Sequence, residues 1–210
     1  MRSIGFIGNV DKRIVTLNVA RGLQFLGETL LITDDPNYLR GTVNGVIGNV
    51  KVLLVTEWKD GIFEEYDDGT EYANVIYDSR EFIPKGVDKT LVFRGKDRKF
   101  LPESILNYTD DIDKNGDVVN DTTEIVITYF MDKRELKKAH YTDRGEHSDI
   151  LGKAELIELK PLDLKWLMQC EETGSINLMK NSALYGALAK LTHEVVDMSE
   201  KEWSAVMTRA

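Results

Sequence analysis

With 210 residues, 42% of them apolar and 30% charged, the chain can bury one sizeable core and is too hydrophobic to be disordered or fibrous. A net charge of −9 sets its surface against a phosphate backbone, which argues against broad, nonspecific nucleic-acid binding. The one cysteine, Cys170, allows no intrachain disulfide; with no apolar run long enough for a signal peptide or a membrane helix, it points to the cytoplasm and against direct membrane insertion.

Residues 4–8 are apolar, β-branched and closed by a glycine, which predicts a short buried strand. Residues 9–12 form a polar turn. From Arg13 to Leu26 the apolar positions Val15, Val19, Leu23 and Leu26 recur at helical spacing, and Gly27 is a good terminator. Residues 29–33 read as a second strand that closes in Asp34-Asp35-Pro36. Strand, turn, helix and strand in so short a span make a βαβ unit, which calls for a parallel pair joined by a right-handed crossover.

Further strands are expected at 50–56, 73–77, 90–94, 124–130 and 154–158, and helices at 162–172, 178–196 and 200–208. Residues 59–71 read as a hairpin or exposed loop, and 109–123 as a second, acidic solvated loop. This order predicts a single α/β domain over 1–210: an open, mostly parallel twisted sheet with helices on both faces.

The turn after the first strand carries the chemistry. A phosphate loop sits between a strand and a helix, where glycines let backbone N–H groups hold phosphate oxygens. A lysine then neutralises the phosphate charge, and the next Ser/Thr holds magnesium. Here the location is filled by Gly8-Asn9-Val10-Asp11-Lys12-Arg13-Ile14. This run resembles the Gly-Gly-Val-Gly-Lys-Thr-Thr loop of the ParA/MinD family of deviant Walker ATPases. The following helix, Thr16-Leu17-Asn18-Val19-Ala20-Arg21-Gly22-Leu23, and the strand Leu30-Leu31-Ile32-Thr33-Asp34-Asp35-Pro36 are similar to that family's. Asn74-Val75-Ile76-Tyr77-Asp78-Ser79 resembles its Walker B strand; residues 124–130 and 172–196 follow its later order. The resemblance implies a P-loop NTPase-like fold, ATP or ADP as ligand, a switch-like role for Asp35, a Walker-B-like role for Asp78, and a homodimer.

The departures fall on the catalytic kit. Asp11 replaces the glycine before the lysine and puts a carboxylate beside the intended phosphates, a like-charge contact that costs several kcal/mol unless it is screened. Arg13 and Ile14 replace the two threonines, so magnesium loses its usual hydroxyl ligand. Ile7 stands in for the family's signature lysine, and Thr33 for the first aspartate of the Asp-x-Asp pattern. Phosphoryl transfer depends on positioned charge and metal, so no catalytic and no metal-binding residue is assigned. Structural readings stand beside the functional ones: Asp11 as a favourable charge at a helix start, Lys12 and Arg13 as solvated cations, Asp35 as half of a turn pair with Pro36, and Asp78 as a strand-end residue.

Other patterns lack a necessary part. Asp111-x-Asp113-x-Asn115-Gly116-Asp117 resembles the start of a calcium loop, but Thr122 stands where a bidentate glutamate is required. His140, His147 and His193 have no metal-ligand spacing, and no nucleophile elbow accompanies them. Val196, Trp203, Val206 and Met207 form an apolar stripe flanked mainly by acids, which suits packing on the domain or on a protein partner better than anionic lipid. The leading expectation is a non-hydrolysing or weakly active localisation or scaffold factor with protein partners, on the theme of the TadZ/CpaE proteins of pilus and secretion-system assembly. An active, ATP-dependent dimeric switch for DNA partition or cellular positioning is the alternative; a small-molecule enzyme on the same sheet is the third reading.

Overall fold

A computed structural model describes residues 1–8, 10–94, 121–129, 155–159 and 161–176, with 199, 201 and 204. Among these, eight strands form one sheet: β1 (Arg2–Ile7), β2 (Thr29–Thr33), β3 (Val46–Ile47), β4 (Val50–Leu54), β5 (Asn74–Ser79), β6 (Lys89–Arg94), β7 (Asp121–Tyr129) and β8 (Glu155–Leu159). The spatial order is β3-β4-β2-β5-β1-β6-β7-β8, and every neighbouring pair is parallel except β3 with β4. Two α-helices are described, α1 (Arg13–Leu23) and α2 (Pro161–Thr173).

The opening βαβ unit differs from expectation in one respect. β1 and β2 run parallel but do not touch; β5 lies between them, with Ile4 opposite Ile76 and Leu31 opposite the same Ile76. Asn74 fixes this insertion. Its side-chain amide is shared among the carbonyls of Leu23 (3.1 Å) and Gly27 (3.2 Å) and the Thr29 hydroxyl (3.2 Å), tying the start of β5 to the end of α1 and the start of β2.

α1 contains Ile14, Val15, Thr16 and Val19, β-branched residues that each cost a few tenths of a kcal/mol in helix propensity. Burial outweighs this. Val15, Val19, Ala20 and Leu23 are fully enclosed, and burying a side chain of Val or Leu size contributes about 1.5–3 kcal/mol. Leu26, expected on the same stripe, is exposed, because the chain tightens into a 3-10 turn over Gln24–Leu26 and turns it away from the helix's buried face. Trp166, Leu167 and Cys170 of α2 join the same cluster, which covers Ile4, Phe6, Leu31, Ile76, Leu91 and Phe93 of the sheet.

The opposite face buries Ile7, Leu30, Ile32, Val75, Tyr77 and Val92. Among the described residues it is covered by irregular segments: Ile62 and Tyr72 from one, Ile83 and Val87 from another, with Trp58, Phe63 and Tyr66 packed alongside. The stretch 59–71, expected as a hairpin or exposed loop, forms no strand and is only partly exposed, since its aromatic and aliphatic residues anchor it to the sheet. Residues 121–123, assigned to a loop from composition, belong to β7; the β-branched pair Thr122-Thr123 extends the strand opposite Thr90 and Leu91. The short β3 carried no sequence signal. The helix expected at 178–196, the calcium-like run 111–117 and the three histidines lie outside the described residues. Of 200–208, the described positions 201 and 204 are both helical.

Candidate functional site: the loop between β1 and α1

The loop leaves the sheet where β1, β5 and β6 end side by side. Gly8 has φ +139° and donates its N–H to the Ser79 carbonyl at 3.1 Å. A Cβ here would stand 1.8 Å from the Phe93 carbonyl oxygen, so glycine is required by the close approach of β6. Asn9 lies outside the described residues. Val10 is half-buried and packs on the core. Ile14 is 2% exposed, so the second threonine position of the resembled loop has become a core residue.

Lys12 is not the solvated cation of the plain reading. It is 4% exposed, and its ammonium contacts three oxygens: the Gly8 carbonyl (2.6 Å), the Ser79 carbonyl (3.0 Å) and Asp78 Oδ1 (3.0 Å). An ammonium has three protons, and all are used. The other Asp78 oxygen accepts hydrogen bonds from the Thr16 hydroxyl (2.8 Å) and the Tyr38 hydroxyl. Burial pushes the Asp78 carboxyl above its ordinary value, opposed by Lys12, Tyr38 and Thr16; burial and the neighbouring Asp78 charge raise the Tyr38 phenol well above its own. Local sequence does not mark Thr16 or Tyr38 as site residues. Their hydroxyls matter only because the fold brings the start of α1, the turn after β2 and the end of β5 together.

A second cluster closes the outer side of the loop. Asp11 Oδ1 accepts the backbone N–H of Arg13 at 3.1 Å, as a carboxylate near a helix start does. The Arg13 guanidinium grips the same carboxylate through Nε (2.9 Å) and Nη2 (2.7 Å), while Nη1 donates to Glu171 of α2. Burial alone would raise Asp11, but the hydrogen bonds and charge of Arg13 outweigh it and hold the carboxyl below its ordinary value. Burial likewise opposes the Arg13 charge, and Asp11 and Glu171 more than restore it. Glu171 was invisible as a site residue because nothing in its local sequence distinguishes it. It is placed by a tight backbone approach: a Cβ on Gly41 would lie 2.3 Å from the Glu171 carbonyl oxygen.

Asp35 caps the 3-10 turn Pro36–Leu39, accepting from the Asn37 N–H at 2.9 Å and the Asn37 side-chain amide at 2.7 Å. The turn-pair reading thus describes its contacts, although Arg13 lies within reach of its charge. Its neighbour Asp34 lies closer to the network, accepting from Trp58 Nε1 (2.8 Å) and from the hydroxyl of Ser79 (3.2 Å), the residue whose carbonyl binds Lys12.

The chain thus forms a parallel sheet with the glycine loop at the end of a central strand, α1 after it, and an aspartate near the end of the adjacent strand. In structural comparison, the chain is similar to the MinD cell division protein of Aquifex aeolicus, with a TM-score of 0.60 over 94% of this chain and 98% of that one, at 18% sequence identity. The fold is MinD-like. At that identity the likeness establishes architecture, an α/β P-loop NTPase-like sheet with helices. By sequence, no family model and no curated protein matches the chain.

As arranged, the two cations and two of the amides among the described loop residues are bonded within the chain and not open to a magnesium triphosphate. The Gly8 and Arg13 amides are bonded to Ser79 and Asp11, and both cations are paired within the chain. Asp11, Asp78 and Glu171 bring three carboxylates against Lys12 and Arg13, a balance unfavourable to a polyanion. Among the described residues no group of three or more His, Cys, Asp or Glu is arranged to hold a metal, and no helix is long and apolar enough to cross a membrane.

Proposed function

We propose that this chain is a non-hydrolysing ParA/MinD-like protein that acts as a localisation or scaffold factor in the cytoplasm, on the TadZ/CpaE theme of pilus or secretion-system assembly. It would work through homodimerisation and protein contacts. The observation that carries the reading is the internal occupation of Lys12: the one residue of the loop type needed for phosphate charge is spent on Gly8, Ser79 and Asp78. Arg13, at the magnesium-ligand position of the resembled loop, instead links the loop to α2 through Glu171. Transition-state stabilisation of a phosphoryl group needs preorganised, available cations. Both are committed elsewhere. The net charge of −9 further disfavours nonspecific DNA binding, which an active partition switch would need.

Calorimetry of the full chain with ATP and magnesium, and with ADP, tests this directly. The expected result is no magnesium-dependent heat and no phosphate release. Tight magnesium-dependent binding with turnover, lost in a folded Lys12→Arg variant, would defeat the scaffold reading in favour of a switch ATPase. A double variant that restores the loop, Asp11→Gly with Arg13→Thr, is expected to gain nucleotide affinity relative to the unaltered chain.

A further inference from the structure

Far from the Lys12 loop, where β2, β4 and β5 begin, lies a cavity of about 570 Å³. Arg21 and Phe25 at the end of α1, Asn49 and Lys51 at the start of β4, and Thr70 and Tyr72 before β5 form its walls. A strand of six residues spans roughly 20 Å, so this cavity and the Lys12 loop stand at opposite ends of the sheet. Its volume is in the range of small-molecule sites.

The charges on its walls are unequal in what they already bind. Arg21 is half-buried; its guanidinium lies 5.2 Å from the centre of the Phe25 ring and donates through Nη1 to Gln24 Oε1 at 2.9 Å. Its Nε is buried and has no acceptor among the described residues. Lys51 is also half-buried, and among the described residues no carboxylate lies within 4.0 Å of either cation. The wall carboxylate of Asp68 is already engaged, accepting from the Tyr72 hydroxyl (2.7 Å), the Tyr66 hydroxyl (3.0 Å) and the Thr70 N–H (3.0 Å). Glu28 stands exposed among the lining residues. Two cations without a carboxylate partner among the described residues, set beside the rings of Phe25 and Tyr72 in one concave site, make a receptor for an anion with a flat body.

We propose that this cavity binds a small organic anion in which a carboxylate or phosphate is joined to an aromatic or other flat apolar group. The anion meets Arg21 and Lys51, and the flat group lies against Phe25 and Tyr72. Guanidinium suits both acids, because its fork matches two oxygens at once.

Titration calorimetry on the full chain with phenyl phosphate, benzoate and inorganic phosphate tests the site. The expected result is that phenyl phosphate or benzoate binds, inorganic phosphate more weakly, and that Arg21→Gln and Lys51→Gln each weaken binding at least tenfold. Arg80→Gln, at an exposed position after the far end of β5, leaves the affinity unchanged. Whether phenyl phosphate or benzoate binds more tightly assigns the acid. Thermal melts confirm that each variant is folded; should Arg21→Gln fail, Lys51→Gln carries the test, since Lys51 makes no ion pair or hydrogen bond among the described residues. The proposal is overturned if no probe binds, or if affinity is the same in unaltered chain, Arg21→Gln and Lys51→Gln.

Discussion

Lys12 is buried and bonded within the chain. It and Asp78 have side chains each 3% exposed and 3.0 Å apart. Removing one partner of such a pair leaves an uncompensated buried charge, so Lys12→Met is expected to lose about 3–5 kcal/mol of unfolding free energy in urea titrations. Adding Asp78→Asn should recover part of that loss, with a coupling of roughly 1–3 kcal/mol. Independent, additive losses would contradict the pairing. Asp11 provides a pH test. Its folded-state value is lowered, so its contribution is present above the ordinary value of 3.8 and is lost as pH falls through the folded value. The stability difference between the unaltered chain and Asp11→Asn should be constant well above pH 3.8 and shrink below it. Asp78 has the opposite sign: its raised value favours the protonated form in the fold, so its own contribution falls as pH rises through that value.

At the level of elements, the junctions between strands and helices are more constrained than the elements themselves. The turn from β1 into α1 tolerates no side chain at Gly8, because β6 presents its Phe93 carbonyl there. Gly8→Ala should therefore cost on the order of 4 kcal/mol or abolish folding. Gly69→Ala is the control: φ there is +76° with nothing within 4 Å of the added Cβ, so only about 1 kcal/mol of left-handed backbone cost is expected. Comparable losses in the two variants, measured by thermal denaturation, would show that conformation and not contact governs Gly8. α2 is held to the rest of the fold by the Arg13–Glu171 pair, by the Gly41 approach and by the core contacts of Trp166, Leu167 and Cys170.

For the whole molecule, Cys170 is a built-in reporter. It is 1% exposed, on the core-facing side of α2. An aromatic disulfide reagent is expected to label it at least roughly 100-fold more slowly in the native protein than in urea, because reaction requires α2 to open. Gly41→Ala should accelerate native labelling by displacing α2. Rapid labelling of the unaltered chain would mean that α2 does not close the core as described. The two ends of the sheet differ in how their cations are held: Lys12 and Arg13 pair with carboxylates at one end, while at the other no carboxylate pairs with Arg21 or Lys51 among the described residues.

Periodicity and turn chemistry determined much of this protein. The run Thr29–Thr33 matched its strand residue for residue, and Val15, Val19 and Leu23 marked the buried face of α1, because local patterning reports which side meets the core. The position of the loop between β1 and α1 was also legible, being a property of residue type and spacing. Tertiary structure alone decided that β5 separates β1 from β2, that Lys12 turns inward, and that Glu171 reaches Arg13 across 158 positions of chain. A residue's type states which charge or hydrogen bond it can offer. Which partner receives it depends on distances that exist only after the chain has closed on itself.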